Sequence, residues 1–141
     1  MDENRTAERR MHRLNLFFPL VLILAVTVYS LLSGGGSSVI TQIDSGILGI
    51  ANVTETTYIE LVDVESAELV TELDAGTAET DDVNCIHYTN EVFGDYLLYR
   101  FEDTTNYVVI RTAEQTVVVN AKNEKATEKF YAELTAALNA L

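Results

Sequence analysis

An uncharged, strongly apolar run over residues 14–32 divides this chain into two parts of unlike charge, and that division limits what the rest can become. Before the run stand Arg5, Arg9, Arg10 and Arg13; after it, no lysine or arginine occurs until Arg100. Residues 16–32 contain twelve Leu, Ile, Val or Phe and no charge. Together those twelve favour bilayer insertion by roughly 5 kcal/mol before Pro19, Thr27 and Ser30 are discounted. The spacing predicts a transmembrane helix over 14–33. Pro19 falls in its first turn, where a missing N–H costs little, and Tyr29 sits where an interfacial aromatic belongs. Positive charge flanking an apolar segment is held in the cytoplasm. Expected, then, are a cell-membrane location, a cytoplasmic N-terminal tail over 1–13 and a single pass that carries the C-terminal part outside.

A cleaved secretory signal is the rival reading, since a basic start, an apolar stretch and the small residues Ser33 and Gly35 partly resemble one. The run exceeds the usual signal length. Lipoprotein processing would also need a cysteine just after the run, and the single cysteine, Cys85, is far away. Gly34, Gly35, Gly36, Ser37 and Ser38 read as a flexible tether that spans only about 12 Å. A domain over 39–141 is therefore expected to ride close to the bilayer.

Charge narrows the function of that domain. Residues 1–13 carry four arginines against three acids, net +1, whereas the remainder carries nineteen acids against five bases, net −14. A field of that sign disfavours nucleic acid and anionic headgroups. One cysteine also rules out an internal disulfide and any site built on paired thiolates.

From Val39 onward, short alternating runs rich in Val, Ile, Thr and Tyr are punctuated by Gly, Asp and Asn, which is the pattern of strands and turns. Strands are predicted over 39–44, 47–52, 57–62, 67–73, 85–91, 96–101, 107–112 and 116–120. In the later ones, Leu97, Tyr99 and Phe101 oppose Tyr96, Leu98 and Arg100, while Val108 and Ile110 oppose Val109 and Arg111. Such alternation suits antiparallel strands with one face buried. The C-terminus changes period: Phe130, Leu134, Leu138 and Leu141 recur at helical spacing, with Asn123 placed to cap and Glu124 near the positive end of the dipole. This helix is expected to close the strand layer.

Three stretches carry a family resemblance: 57–69 (TYIELVDVESAEL), 93–96 (FGDY) and 117–127 (VVVNAKNEKAT). They resemble the bacterial pleckstrin-homology-like domain family, some of whose members follow transmembrane segments. The resemblance implies a mainly β fold, a PH-like split barrel of about seven antiparallel strands closed by one C-terminal α-helix. Phosphoinositide-binding PH domains carry a basic cluster around their first two strands. Here residues 39–62 hold Asp44, Glu55 and Glu60 and no basic side chain, so headgroup binding is not expected.

Chemistry finds little support. The acids Asp74, Glu79, Asp81 and Asp82 crowd one predicted loop, which lacks the spacing and glycine of an EF-hand. Cys85 and His87 alternate on a predicted strand, read most simply as packing residues because two ligands do not make a zinc site. No Gly-x-Ser-x-Gly elbow or Ser-x-x-Lys motif occurs, and His87 is the one histidine of the outward domain. Asn52-Val53-Thr54 matches a glycosylation sequon. No catalytic, cofactor or metal residue is singled out. The expected function is a non-catalytic, membrane-tethered interaction module that takes a protein or peptide at a strand edge, over 57–62 or 85–91, or in the groove beside the helix. The alternative is an extracytoplasmic sensor or binding domain for cations or a small ligand.

Overall fold

The structure is a computed structural model that describes residues 39–141. The predicted tail, transmembrane helix and tether lie outside the described residues, and no helix among those described is long and apolar enough to cross a membrane. Among the described residues, nine strands and one helix follow in order: β1 (Ile40–Asp44), β2 (Ile47–Ala51), β3 (Thr56–Glu60), a 3-10 turn (Leu61–Asp63), β4 (Val64–Val70), β5 (Thr77–Ala78), β6 (His87–Asn90), β7 (Gly94–Tyr99), β8 (Tyr107–Thr112), β9 (Thr116–Val119) and α1 (Glu124–Asn139).

The strands form two sheets. One is a three-stranded meander, β1-β2-β3, and the other is six-stranded in the order β4-β8-β9-β7-β6-β5. The fold is mainly β, and the two sheets do not close into a barrel. It departs from the expected seven antiparallel strands in two ways. Residues 74–82, read as loop, contain the short β5, which pairs Thr77 with Thr89 and Ala78 with Tyr88. In addition, β9 enters between β7 and β8 and runs parallel to β7, with Leu97 opposite Val117 and Tyr99 opposite Val119.

That parallel pairing requires the chain to cross over after β7, and buried polar groups hold the crossover. Asn120, 1% exposed, accepts from Phe101 N–H at 2.6 Å and donates to the carbonyls of Phe101 and Thr104 at 3.0 and 3.2 Å. A buried amide that meets its partners on both ends fixes one loop conformation where an apolar residue would allow many.

The central strands of the larger sheet are buried on both faces, not on one. Tyr99, Val108, Ile110, Val117 and Val119 face the interior with Leu48, Ile50 and Ile59 of the smaller sheet and Phe130 and Leu134 of α1. Their neighbours Tyr96, Leu98, Tyr107, Val109 and Val118 form a second cluster on the opposite face, under Val70, Leu73, Ala75, Tyr88 and Phe93. Continuous runs such as Val117-Val118-Val119 are what burial on both faces demands. Gly76 belongs to this outer cover. At φ +74° it lies so close to the Thr89 carbonyl of β6 that a Cβ would collide with it.

Asn123 caps α1 as expected, its side chain accepting from Ala126 N–H at 2.8 Å. Phe130 and Leu134 are buried, Leu138 packs at the margin of the core, and α1 rests on β4, β1, β8 and the 3-10 turn. Leu141 is not part of the stripe: α1 ends at Asn139, and Leu141 is 67% exposed.

Candidate functional site

The two sheets meet differently at their two seams. Where the β2–β3 turn approaches residues 84–87, polar side chains clasp them. Asn52 Oδ1 accepts from Thr54 N–H and Glu55 N–H at 2.9 and 2.8 Å, while its Nδ2 donates to the Asn84 carbonyl at 3.0 Å. The amide nitrogen that a glycan would need is thus an internal clamp. Beside it, His87 Nε2 and Glu55 Oε1 lie 3.0 Å apart.

His87 is exposed and is not a packing residue, and Cys85, expected to be packed, is half-buried. Burial raises the Cys85 thiol, but hydrogen bonds to the Thr80 side chain and to the backbone of Thr80, His87 and Glu79 outweigh it and leave the pKa below the ordinary thiol value. Among the described residues, no three His, Cys, Asp or Glu come together in a way that could hold a metal ion. The acidic loop uses its carboxylates locally instead: Asp74 accepts from Gly76 N–H and Asp82 from Asn84 N–H.

The second seam is open. After β3, Leu61 drops into the core while Val62 and Asp63 are turned outward by the 3-10 turn. β4 then begins with a bulge: Val64 pairs with Thr112 and Ser66 with Arg111, so Glu65 is the extra residue. A bulge bends its strand and re-aims the side chain at that point. Here it marks the place where the chain leaves one sheet for the other. The facing wall is the β8–β9 turn, closed by Thr112, which accepts from Glu114 N–H and Gln115 N–H through its hydroxyl. Between these walls lies a groove of about 550 Å³, within the roughly 300–1,000 Å³ typical of ligand clefts.

Backbone register gives the groove a directional edge. Leu61 N–H bonds Gly46 and Asn52 N–H bonds Glu55, so the hydrogen-bonded pairs of the β2–β3 ladder are Leu48 with Ile59 and Ile50 with Thr57. The peptide groups of Thr56, Tyr58 and Glu60 therefore point away from β2. Of the two edges anticipated, β3 is one. β6 is not, since it lies between β7 and β5.

Glu60, Asp63, Glu65 and Glu114 line the groove, and among the described residues no lysine or arginine does. None of the four joins an ion pair among the described residues, whose pairs are His87–Glu55, Arg111–Glu68 and Lys129–Glu133. The two arginines among the described residues serve the outer cover: Arg100 lies 5.6 Å from the Tyr88 ring centre and Arg111 5.4 Å from that of Phe93. Apolar surface accompanies the charge. Val62 is 70% and Tyr58 41% exposed, and partial burial raises the Tyr58 phenol above its ordinary pKa.

Sequence reasoning placed a strand edge near 57–62 but missed the groove, because a strand drawn through Val62 hides the 3-10 turn that exposes it. The alternation of Glu60, Asp63 and Glu65 with Leu61, Val62 and Val64 was the available signal. Compared with protein-family models, with curated proteins and with solved structures, the chain matches none.

Proposed function

We propose that this chain is a non-catalytic, membrane-tethered interaction module whose outward domain takes a protein or peptide in the groove beside β3. The observation that carries the reading is the open seam itself, where the outward-pointing edge of β3, an exposed valine and four carboxylates with no ion pair among the described residues border one groove. Extended segments are commonly recognised by strand edges, with main-chain bonds for affinity and side-chain pockets for specificity. The proposed cell-membrane location, N-terminus inside and domain outside, rests on the arginine asymmetry and the apolar run.

A relation to the bacterial PH-like family is part of the same proposal. Two sheets followed by one C-terminal helix packed against them support it, and the parallel β7–β9 pairing is where the chain departs from that layout. Fold likeness alone would not assign a function.

Two experiments test the reading. Protease shaving of intact cells should remove the domain; protection until the membrane is opened would place it in the cytoplasm. A photo-crosslinker at Val62 should capture a protein neighbour in native membranes, whereas one at Val83, outside the groove lining and 83% exposed, should not. Absence of any protein adduct at Val62 would end the proposal.

A further inference from the structure

We infer that the groove's occupant is an extended cationic segment of a partner protein in which basic side chains alternate with small apolar ones. The inference rests on the reading that the groove is a protein-binding site and names the chemistry of what fills it. Four carboxylates, Glu60, Asp63, Glu65 and Glu114, border a single groove with no basic residue in its lining and no ion pair of their own among the described residues. Like charges gathered this way repel one another in the empty groove, and a cationic occupant removes that repulsion as it binds.

An anionic ligand is excluded by sign. A compact metal ion is disfavoured because no three acids come together to hold one among the described residues. The carboxylates are instead distributed along the end of β3, the turn, the bulge and the opposite hairpin, a layout matched to an elongated partner. In an extended segment, side chains of one face recur at roughly 7 Å, so bases on that face can meet successive carboxylates. The other face then supplies the small apolar groups that cover Val62.

Because the whole domain is acidic, the test must separate the groove from the general field. The full chain in nanodiscs of neutral lipid is titrated with a fluorescent octapeptide of alternating Lys and Val, with spermine as a compact competitor. Combined Glu60→Gln, Asp63→Asn, Glu65→Gln and Glu114→Gln is expected to weaken peptide binding roughly tenfold or more, by the summed loss of exposed ion pairs. The same charge removed as Asp81→Asn, Glu91→Gln, Asp103→Asn and Glu128→Gln should weaken it less than about twofold, since those exposed charges are screened at physiological salt. Val62→Ser, which changes no charge, should lower affinity roughly threefold through lost apolar contact.

Equal losses from the two neutralised sets would mean a diffuse charge effect and overturn the inference. So would unchanged binding in Val62→Ser, or spermine competing as effectively as the peptide. If a protein crosslinks at Val62 while these peptide contrasts fail, the occupant has been misassigned and the protein-binding reading stands. If no protein crosslinks, it is that reading which fails.

Discussion

The closed seam and the open seam join the same two sheets with opposite chemistry. At the closed seam, neutral amides and carbonyls saturate one another: Asn52 alone serves Thr54, Glu55 and Asn84. At the open seam, backbone and carboxylates turn outward, and apolar side chains stay exposed beside them. A seam whose polar groups are satisfied internally adds stability, and the cavity it borders, about 260 Å³ and lined in part by Asn52, Asn84 and Cys85, is about half the volume of the open groove. One whose charges join no ion pair among the described residues adds little stability of its own. The comparison therefore divides the molecule into a part that holds and a part that we propose recognises a partner, and substitutions can test the division.

The largest loss should come from the core on which both seams depend. Leu134 is fully buried between α1 and the sheets. Leu134→Ala removes its methyl groups and leaves a partial cavity, costing about 2–5 kcal/mol. Urea denaturation followed by circular dichroism should record a lower midpoint with little change in slope. An unchanged midpoint would place the helical stripe outside the core and undo the comparison, since the helix would then offer an apolar surface of its own beside the groove.

Alkali attacks the interior contact between the sheets. Tyr99 on β7 reaches Thr57 on β3 through a 2.7 Å hydroxyl contact, and burial lifts its pKa to about 12 despite that bond. Tyr96 on the outer face, donating to the Ala75 carbonyl, is also raised to about 12, again chiefly by burial. In the unfolded chain both phenols ionise near pH 10. Their contribution is therefore whole below pH 10 and is lost as pH rises from 10 toward 12. Phenolate absorbance should show Tyr96 and Tyr99 titrating late, with loss of secondary structure in the same window. Titration of both near pH 10 in a chain that stays folded would mean water reaches the interior.

How much of this was readable in advance differs by element, for physical reasons. The start of α1 and its buried face were legible because Asn123, Phe130 and Leu134 act within one helix, where spacing and capping are local. Strand β8 matched its predicted span for the same reason: an apolar run bounded by turn residues ends itself. Pairing is not local. Nothing in Val117-Val118-Val119 says that one side meets β8 antiparallel and the other meets β7 in parallel, because that follows from where the Asn120-held crossover delivers the chain. Two-faced burial was obscured because part of the cover over Leu98 and Val118 comes from Leu73 and Ala75, which lie between β4 and β5 and belong to no strand. The groove was hidden by Glu65, whose bulge is a property of two strands together and not of either sequence.

A smaller loss should follow at the closed seam. Asn52→Ala deprives Thr54 and Glu55 of an acceptor and the Asn84 carbonyl of a donor, so about 1–3 kcal/mol should be lost. Native-state hydrogen exchange should show the β2–β3 turn opening first. If instead the loss is negligible, the polar clasp is dispensable and the two seams are alike after all.

The smallest effect should fall on the open seam, and its smallness is what makes it informative. Neutralising Glu60, Asp63, Glu65 and Glu114 breaks no ion pair among the described residues and removes mutual repulsion in a domain already strongly acidic. The melting temperature should stay within roughly 3 °C of the parent or rise slightly, as surface changes of this kind usually do. A marked fall would mean that the carboxylates hold the 3-10 turn and the bulge in place. The groove would then be a structural joint like the closed seam. An unchanged or raised melting temperature leaves these residues with no part in holding the fold together, so that any loss of peptide binding in the same variant reports on recognition alone.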